Sequence, residues 1–209
     1  MKTVLCPDAH DLLLVIDVQN DFCAGGALAI PSADAVVAPI NRLAQCFAHI
    51  VLTQDWRPAD HWNFADNHPG RRPFDTIHLA YGAQALWPSH CVQGSRGADF
   101  HPGLRLSRAE LILRKGYRSG IDSYSAFYEN DRSTPTGLSG YLKERGIRRL
   151  FLAGLATDYC VLYSALDARR ERFQAVLLEE ACRGLDIEGS VAKALQAMRG
   201  AGIDIWQTA

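Results

Sequence analysis

Three residues in this chain have side chains that could work as one chemical unit: Asp17 in DVQNDF, Lys115 in LRKGYRSG and Cys160 in GLATDYC. A cysteine attacks carbon only as its thiolate, and a helix N-terminus together with a nearby ammonium group favours that charge. Both are expected around Cys160, which follows an apolar run and opens a helix, with Lys115 as the ammonium. A carboxylate within reach can take the thiol proton and return it to a leaving amine, the acid and base work that amide cleavage requires. Asp17 suits that part, and Lys115 would keep two developing negative charges from repelling each other. Each residue alone has a plainer reading. A charge at a strand end is commonly a solvated terminus, and a lone Cys is commonly inert packing.

The elements that must position the three follow from the apolar pattern. Short runs rich in Val, Ile and Leu recur at 12–17, 49–55, 110–115, 148–154, 174–180 and 203–206, separated by helix-like stretches. Near-continuous hydrophobicity at that spacing predicts buried parallel strands joined by crossover helices, a three-layer α/β fold. Helices are expected from a Ser32 cap to about Ala48, with some distortion at Pro39, and at roughly 136–145, 158–171 and 187–201, the second of these three capped by Thr157 or Asp158. Ligands of open α/β sheets sit beyond the carboxyl ends of the strands, where Asp17, Lys115 and Cys160 all fall. The segment 57–107 breaks the rhythm with Pro, Gly, His and aromatic residues, which predicts a loop-rich lid or ligand shell inside one domain spanning 1–209.

Composition narrows the partners. With 209 residues, 48% of them hydrophobic, the chain can bury one substantial core, and a formal net charge of −1 offers no footprint for nucleic acid or an anionic membrane. A small-molecule ligand fits better. The N-terminal apolar run is too short to span a bilayer and contains an Asp, which predicts a cytoplasmic protein. The six cysteines show no CxxC or metal-finger spacing and read as reduced thiols. Apolar residues in the later helices could support a homodimer.

Taken together, DVQNDF (17–22), TQDWRPADHWNFA (53–65), LWPSHCVQGSRGADFHP (86–102), RKGY (114–117) and GLATDYCV (154–161) resemble the nicotinamidases (pyrazinamidases) of the isochorismatase-like cysteine hydrolase superfamily. The blocks occur in the family's order with matching separations across nearly the whole chain. The resemblance implies a six-stranded, mainly parallel sheet of order 3-2-1-4-5-6 with helices on both faces. It implies an Asp17, Lys115, Cys160 catalytic triad that hydrolyses nicotinamide to nicotinate and ammonia in NAD salvage. It also implies a cis peptide at Leu155–Ala156 and an oxyanion hole from the backbone N–H groups of Ala156 and Cys160. Phe22, Trp87 and Tyr124 match aromatic positions that wall the pyridine ring, and Leu155 and Tyr159 join them as expected substrate contacts.

The family also carries a divalent metal beside the triad, which holds the pyridine nitrogen directly or through water. Its ligands come from blocks that read DWRP (55–58) and PSHC (88–91) here. Asp55 and His90 are retained, but Arg57 stands where a ligand histidine is expected, and guanidinium has no lone pair to offer. Two readings follow. Asp55, His90, His61 and waters hold Zn, Fe or Mn; alternatively, Arg57 pairs with Asp55 and replaces the cation.

Other readings stay open at this stage. A metal-independent amidohydrolase of the same superfamily, acting on a maleamate or N-carbamoyl type of amide, accounts for Arg57. An isochorismatase-type ether hydrolase does not account for Cys160. A phosphoacceptor signalling domain would need the strand-end Asp and Lys residues in a different order, and an inactive binding module would not explain why all three triad residues remain.

Overall fold

The computed structural model describes residues 5–207. Its first strand shows why the apolar runs are unbroken. β1 (Asp11–Ile16) is buried at all six positions, and its side chains divide by parity as a pleated strand dictates. Leu13 and Val15 join Ile40, Phe47 and Phe151 in one core, whereas Leu12, Leu14 and Ile16 join Leu142, Ala165 and Met198 in another. A sheet covered on both faces therefore separates two hydrophobic layers.

Around β1 lie β2 (His49–Asp55), β5 (Leu111–Lys115), β6 (Arg149–Leu155), β7 (Gln174–Arg183) and β8 (Asp204–Trp206), all parallel, in the order β5-β2-β1-β6-β7-β8. Counted along the chain this is the expected 3-2-1-4-5-6 order. The remaining strands, β3 (Thr76–Leu79) and β4 (Gly82–Ala85), form an antiparallel hairpin within the segment between β2 and β5. The helices are α1 (Val37–Leu43), α2 (Leu138–Glu144), α3 (Leu162–Arg170) and α4 (Ser190–Gly200). Because the chain runs outward from β1 through β2 to β5 and then returns to β6 on the other side of β1, the carboxyl end of β1 faces the crevice where such folds take ligands.

Two expected caps are absent. The helix anticipated from Ser32 is split into a 3-10 turn (Ala33–Val36), α1 and a second 3-10 turn (Ala44–Cys46). Ser32 adopts φ 57°, and its hydroxyl makes no capping bond. Pro39, in the first turn of α1, has no N–H to donate back, so the regular helix cannot extend to Ser32. After β6 the chain makes a π turn (Thr157–Val161) that leads into α3, with Ala156 at the N-cap position and no side-chain cap. Asp158 is turned away, accepting instead from Leu185 N, Asp186 N and Ser190 Oγ.

One glycine is dictated by the packing of the centre. Gly154 lies at φ +118° on β6, and a Cβ there would collide with the Ile16 backbone of β1. Only glycine accepts both constraints. No helix among the described residues is long and apolar enough to cross a membrane.

Candidate active site

Parallel strands bring their carboxyl ends to one edge, and there the three sequence-predicted residues meet. Asp17 directly follows β1 at φ 49°, Lys115 ends β5, and Cys160 lies in the π turn after β6. Lys115 spans them because its register partner on β2 is Asp55. Its Nζ lies 2.8 Å from Asp17 Oδ2, donates to Cys160 Sγ at 3.4 Å and to Ser123 O at 3.0 Å, and pairs with Asp55 Oδ1. Thr53, from the middle of β2, donates to Asp17 Oδ1 at 2.6 Å and accepts from Asp17 N at 3.2 Å. Asp17 carries a carboxylate oxygen within 4.8 Å of Cys160 Sγ, which puts its carboxylate beside the thiol as well as the ammonium.

Burial sets the charges of this group. It would depress Lys115, but Asp17, Asp55 and Cys160 outweigh it and hold the ammonium well above its usual range. It raises Asp17, a rise that Lys115 opposes and Asp55 reinforces. Cys160 also rises well above the ordinary thiol range, first through burial and then through Asp17 and Asp55, with Lys115 acting against them. Lys115 favours the thiolate as expected, while burial, Asp17 and Asp55 act against it, so the thiol needs a base to take its proton. Two carboxylates and complete burial outweigh one lysine.

Above Cys160 lies a narrow cavity of about 30 Å³ lined by Phe22, Trp87, Tyr124, Tyr159, Ala156 and Arg57, among others. That is room for one or two water molecules, so a ring-sized ligand has to push the aromatic walls apart to enter. Its rings stand edge to face, with Trp87 and Tyr159 centroids 5.0 Å apart and those of Tyr124 and Tyr159 5.6 Å apart. Trp87 Nε1 donates to Tyr124 Oη at 3.2 Å, which fixes both side chains. Leu155 differs from expectation, being fully buried at the end of β6 and outside the lining. Leu28, Ile30 and Leu185 line the cavity instead, apolar residues with nothing in local sequence to separate them from core. The peptide bond Leu155–Ala156 is cis.

Arg57 is only 1% exposed and makes two-sided ion pairs. Its Nη2 and Nε donate to Asp55 Oδ2 at 3.0 and 3.3 Å, and its Nη1 donates to Asp122 Oδ1 at 2.5 Å. Asp122 was missed in the sequence; it is an acid in a Ser-rich loop with no motif to mark it. Its other oxygen accepts from Gln84 Nε2 on β4 at 2.8 Å. The two carboxylates, after the opposing effect of burial, raise Arg57 further and are themselves held below their usual range by it.

The residues expected to ligate a metal, Asp55, His61 and His90, lie around this guanidinium. Burial, then Arg57, lowers both histidines to about 4, so they are neutral. His90 bonds Pro88 O through Nδ1 at 2.8 Å and turns Nε2 toward Asp55 Oδ2 at 3.9 Å. His61 Nδ1 accepts from Asn63 N at 3.1 Å, which leaves the ring proton on Nε2, buried and without a partner. A ligand nitrogen needs a lone pair about 2.0–2.1 Å from the metal, and His61 Nε2 does not offer one in this tautomer. Both oxygens of Asp55 are already taken by cations. Asp55, His61 and His90 therefore do not fit a metal in this arrangement. Among the described residues, two other groups have ligand atoms within 4.8 Å of one another: Asp17, Asp55 and Cys160, which Lys115 bridges, and Cys23, Asp34 and His101.

A parallel α/β sheet with a buried thiol, carboxylate and ammonium at its carboxyl edge has the parts of a cysteine hydrolase. Residues 11–209 match the model of the isochorismatase domain, and the chain belongs to that family. It is 52% identical to the nicotinamidase of Acinetobacter baylyi over 91% of this chain and 89% of that one. The solved nicotinamidase/pyrazinamidase of Acinetobacter baumanii superposes with a TM-score of 0.94 at 52% identity, covering 96% of this chain and 97% of that one. The L. infantum PnC1 complex with nicotinate gives 0.86 at 34% identity over 98% and 96% of the two chains. The Pyrococcus horikoshii pyrazinamidase complex with zinc gives 0.78 at 32% over 95% and 99%.

Proposed function

We propose that this chain hydrolyses nicotinamide to nicotinate and ammonia through a thioester on Cys160, a reaction of cytoplasmic NAD salvage. The observation that carries the reading is the Cys160 thiol lying beside the Asp17 carboxylate and the ammonium of Lys115, under a small cavity walled by four aromatic rings. Relatives that share about half the sequence are nicotinamidases, and a structural neighbour holds nicotinate.

The chemistry follows from the charges. Asp17 binds a proton more tightly than an ordinary carboxylate, which suits it to accept the thiol proton. Lys115 stabilises the thiolate as it forms. The sulfur adds to the amide carbon, and the carbonyl π electrons move to oxygen, which the N–H groups of Ala156 and Cys160 hold. Asp17 then protonates the nitrogen, the C–N bond breaks and ammonia leaves. A water deprotonated by Asp17 adds to the thioester, and cleavage of the C–S bond releases nicotinate and restores the thiol. The Pyrococcus horikoshii relative is solved in complex with zinc, but no step above requires a metal.

The alternative is another small amide of the maleamate or N-carbamoyl type. A buried Arg could attract the carboxylate of maleamate. Against that, the charge of Arg57 is met on both sides by Asp55 and Asp122, so it presents a hydrogen-bond donor more than a free positive charge. That favours a neutral acceptor such as a pyridine nitrogen between aromatic walls. Ammonia release measured across nicotinamide, pyrazinamide, maleamate and N-carbamoyl amides tests the choice. Nicotinamide and pyrazinamide are expected to lead; preference for maleamate would overturn the reading.

A further inference from the structure

Asp17, Asp55, Asp122, Arg57 and Lys115 form an alternating line of charge, each at most 1% exposed: Asp122, Arg57, Asp55, Lys115, Asp17. Three carboxylates against two cations leave one net negative charge. A neutral histidine at position 57 would leave two, the amount a divalent cation cancels. Arg57 supplies half of that charge from the chain itself, and it does so at the carboxylate the zinc-site reading requires. Its Nη2 lies 3.0 Å from Asp55 Oδ2, so a dication bound to that oxygen at a normal ligand distance would press against a guanidinium.

The guanidinium also faces the ligand. Arg57 lines the cavity together with Cys160, and three of its five N–H groups are spent on Asp55 and Asp122. One N–H on Nη1 and one on Nη2 remain for an acceptor. Ion pairs to Asp55 at one edge and Asp122 at the other hold the plane, so the fork is fixed before substrate arrives.

We propose that Arg57 is the resident cation of this substrate pocket: it takes the place of a divalent metal and donates a hydrogen bond to the ring nitrogen of the substrate. The proposal rests on the reading of the substrate as a pyridine carboxamide. It makes this chain a metal-independent variant whose selectivity for a ring nitrogen comes from a protein donor. Charge is supplied by a group that cannot be removed by a chelator, and specificity by a donor that is unpaired if the ring lacks an acceptor.

Elemental analysis of the purified wild-type protein, before and after dialysis against a chelator, is the primary test. Much less than one equivalent of Zn, Fe or Mn per chain is expected, with turnover of nicotinamide unchanged by the chelator. Near-stoichiometric metal, or activity lost on chelation and recovered with Zn, Fe or Mn, would overturn the proposal. The ring-nitrogen contact is tested with benzamide, which lacks the acceptor. A buried donor left unpaired should raise KM for benzamide about ten- to a hundredfold over nicotinamide; equal KM values would overturn the contact. Arg57→His is expected to gain bound metal under the same conditions, and failure of the folded variant to do so would count against Arg57 as the group that excludes it. Should that variant not fold, the wild-type metal content still decides. Absence of nicotinamide turnover in the wild type would instead refute the substrate reading, whatever the metal content.

Discussion

At the scale of single residues, the mechanism turns on where one proton resides. Burial raises both Cys160 and Asp17, so each of the two groups holds a proton more tightly than it would in water. Asp17→Asn keeps the shape and removes the base; kcat is expected to fall about a thousandfold or more, with the circular dichroism spectrum unchanged. Thr53 is the subtler probe. Its hydroxyl donates to Asp17 Oδ1 and favours the ionised form. Thr53→Val should raise Asp17 further, so the acid limb of the kcat/KM profile moves to higher pH and activity is lost sooner on acidification. An acid limb that stays in place, or moves to lower pH, would show that Asp17 is not the group being read.

At the scale of elements, the site depends on how closely β6 approaches β1. Gly154 has no room for a Cβ against Ile16 and sits at a φ that other residues avoid. Gly154→Ala is expected to destabilise the fold by about 3 kcal/mol or more, read as a lower urea midpoint. Strand positions were legible in the sequence because burial on both faces leaves apolar runs too short for a buried helix and rich in Val, Ile and Leu. LLLVI between polar ends is such a run. The β3–β4 hairpin was not legible, because Thr76–Leu79 alternates for only four residues and its partner Gly82–Ala85 has no β-branched or aromatic side chain. The caps at Ser32 and Asp158 misled for a different reason: residue type permits a cap, but Pro39 and the loop at 185–190 decided where those side chains turned. Asp17, Lys115 and Cys160 were legible because parallel strands send their ends to one edge. Asp122 and Thr53 were not, since their roles exist only through contacts with residues tens of positions away.

At the scale of the whole molecule, a densely charged interior ties stability to pH. His61 and His90 are buried and neutral, with pKa values lowered from 6.5 to about 4 chiefly by burial. A lowered basic pKa means that the unfolded chain takes up protons first. Stability from these groups is complete above about pH 6.5 and is lost as pH falls toward 4. Thermal midpoints are expected to drop across that window, and His90→Gln should flatten the drop; an unaltered slope in that variant would assign the loss to other groups. The same interior explains why one substitution at position 57 matters beyond its neighbours, since Arg57 sets the net charge of the line that runs to the nucleophile.

Ammonia release from nicotinamide by the wild type and by Cys160→Ala, measured side by side, addresses the central claim that a buried thiol cleaves the amide. One ammonia per nicotinate is expected from the wild type, and a rate about a thousandfold lower or less from a folded variant. A wild type that releases no ammonia, or a Cys160→Ala protein that keeps an appreciable share of the rate, would contradict it.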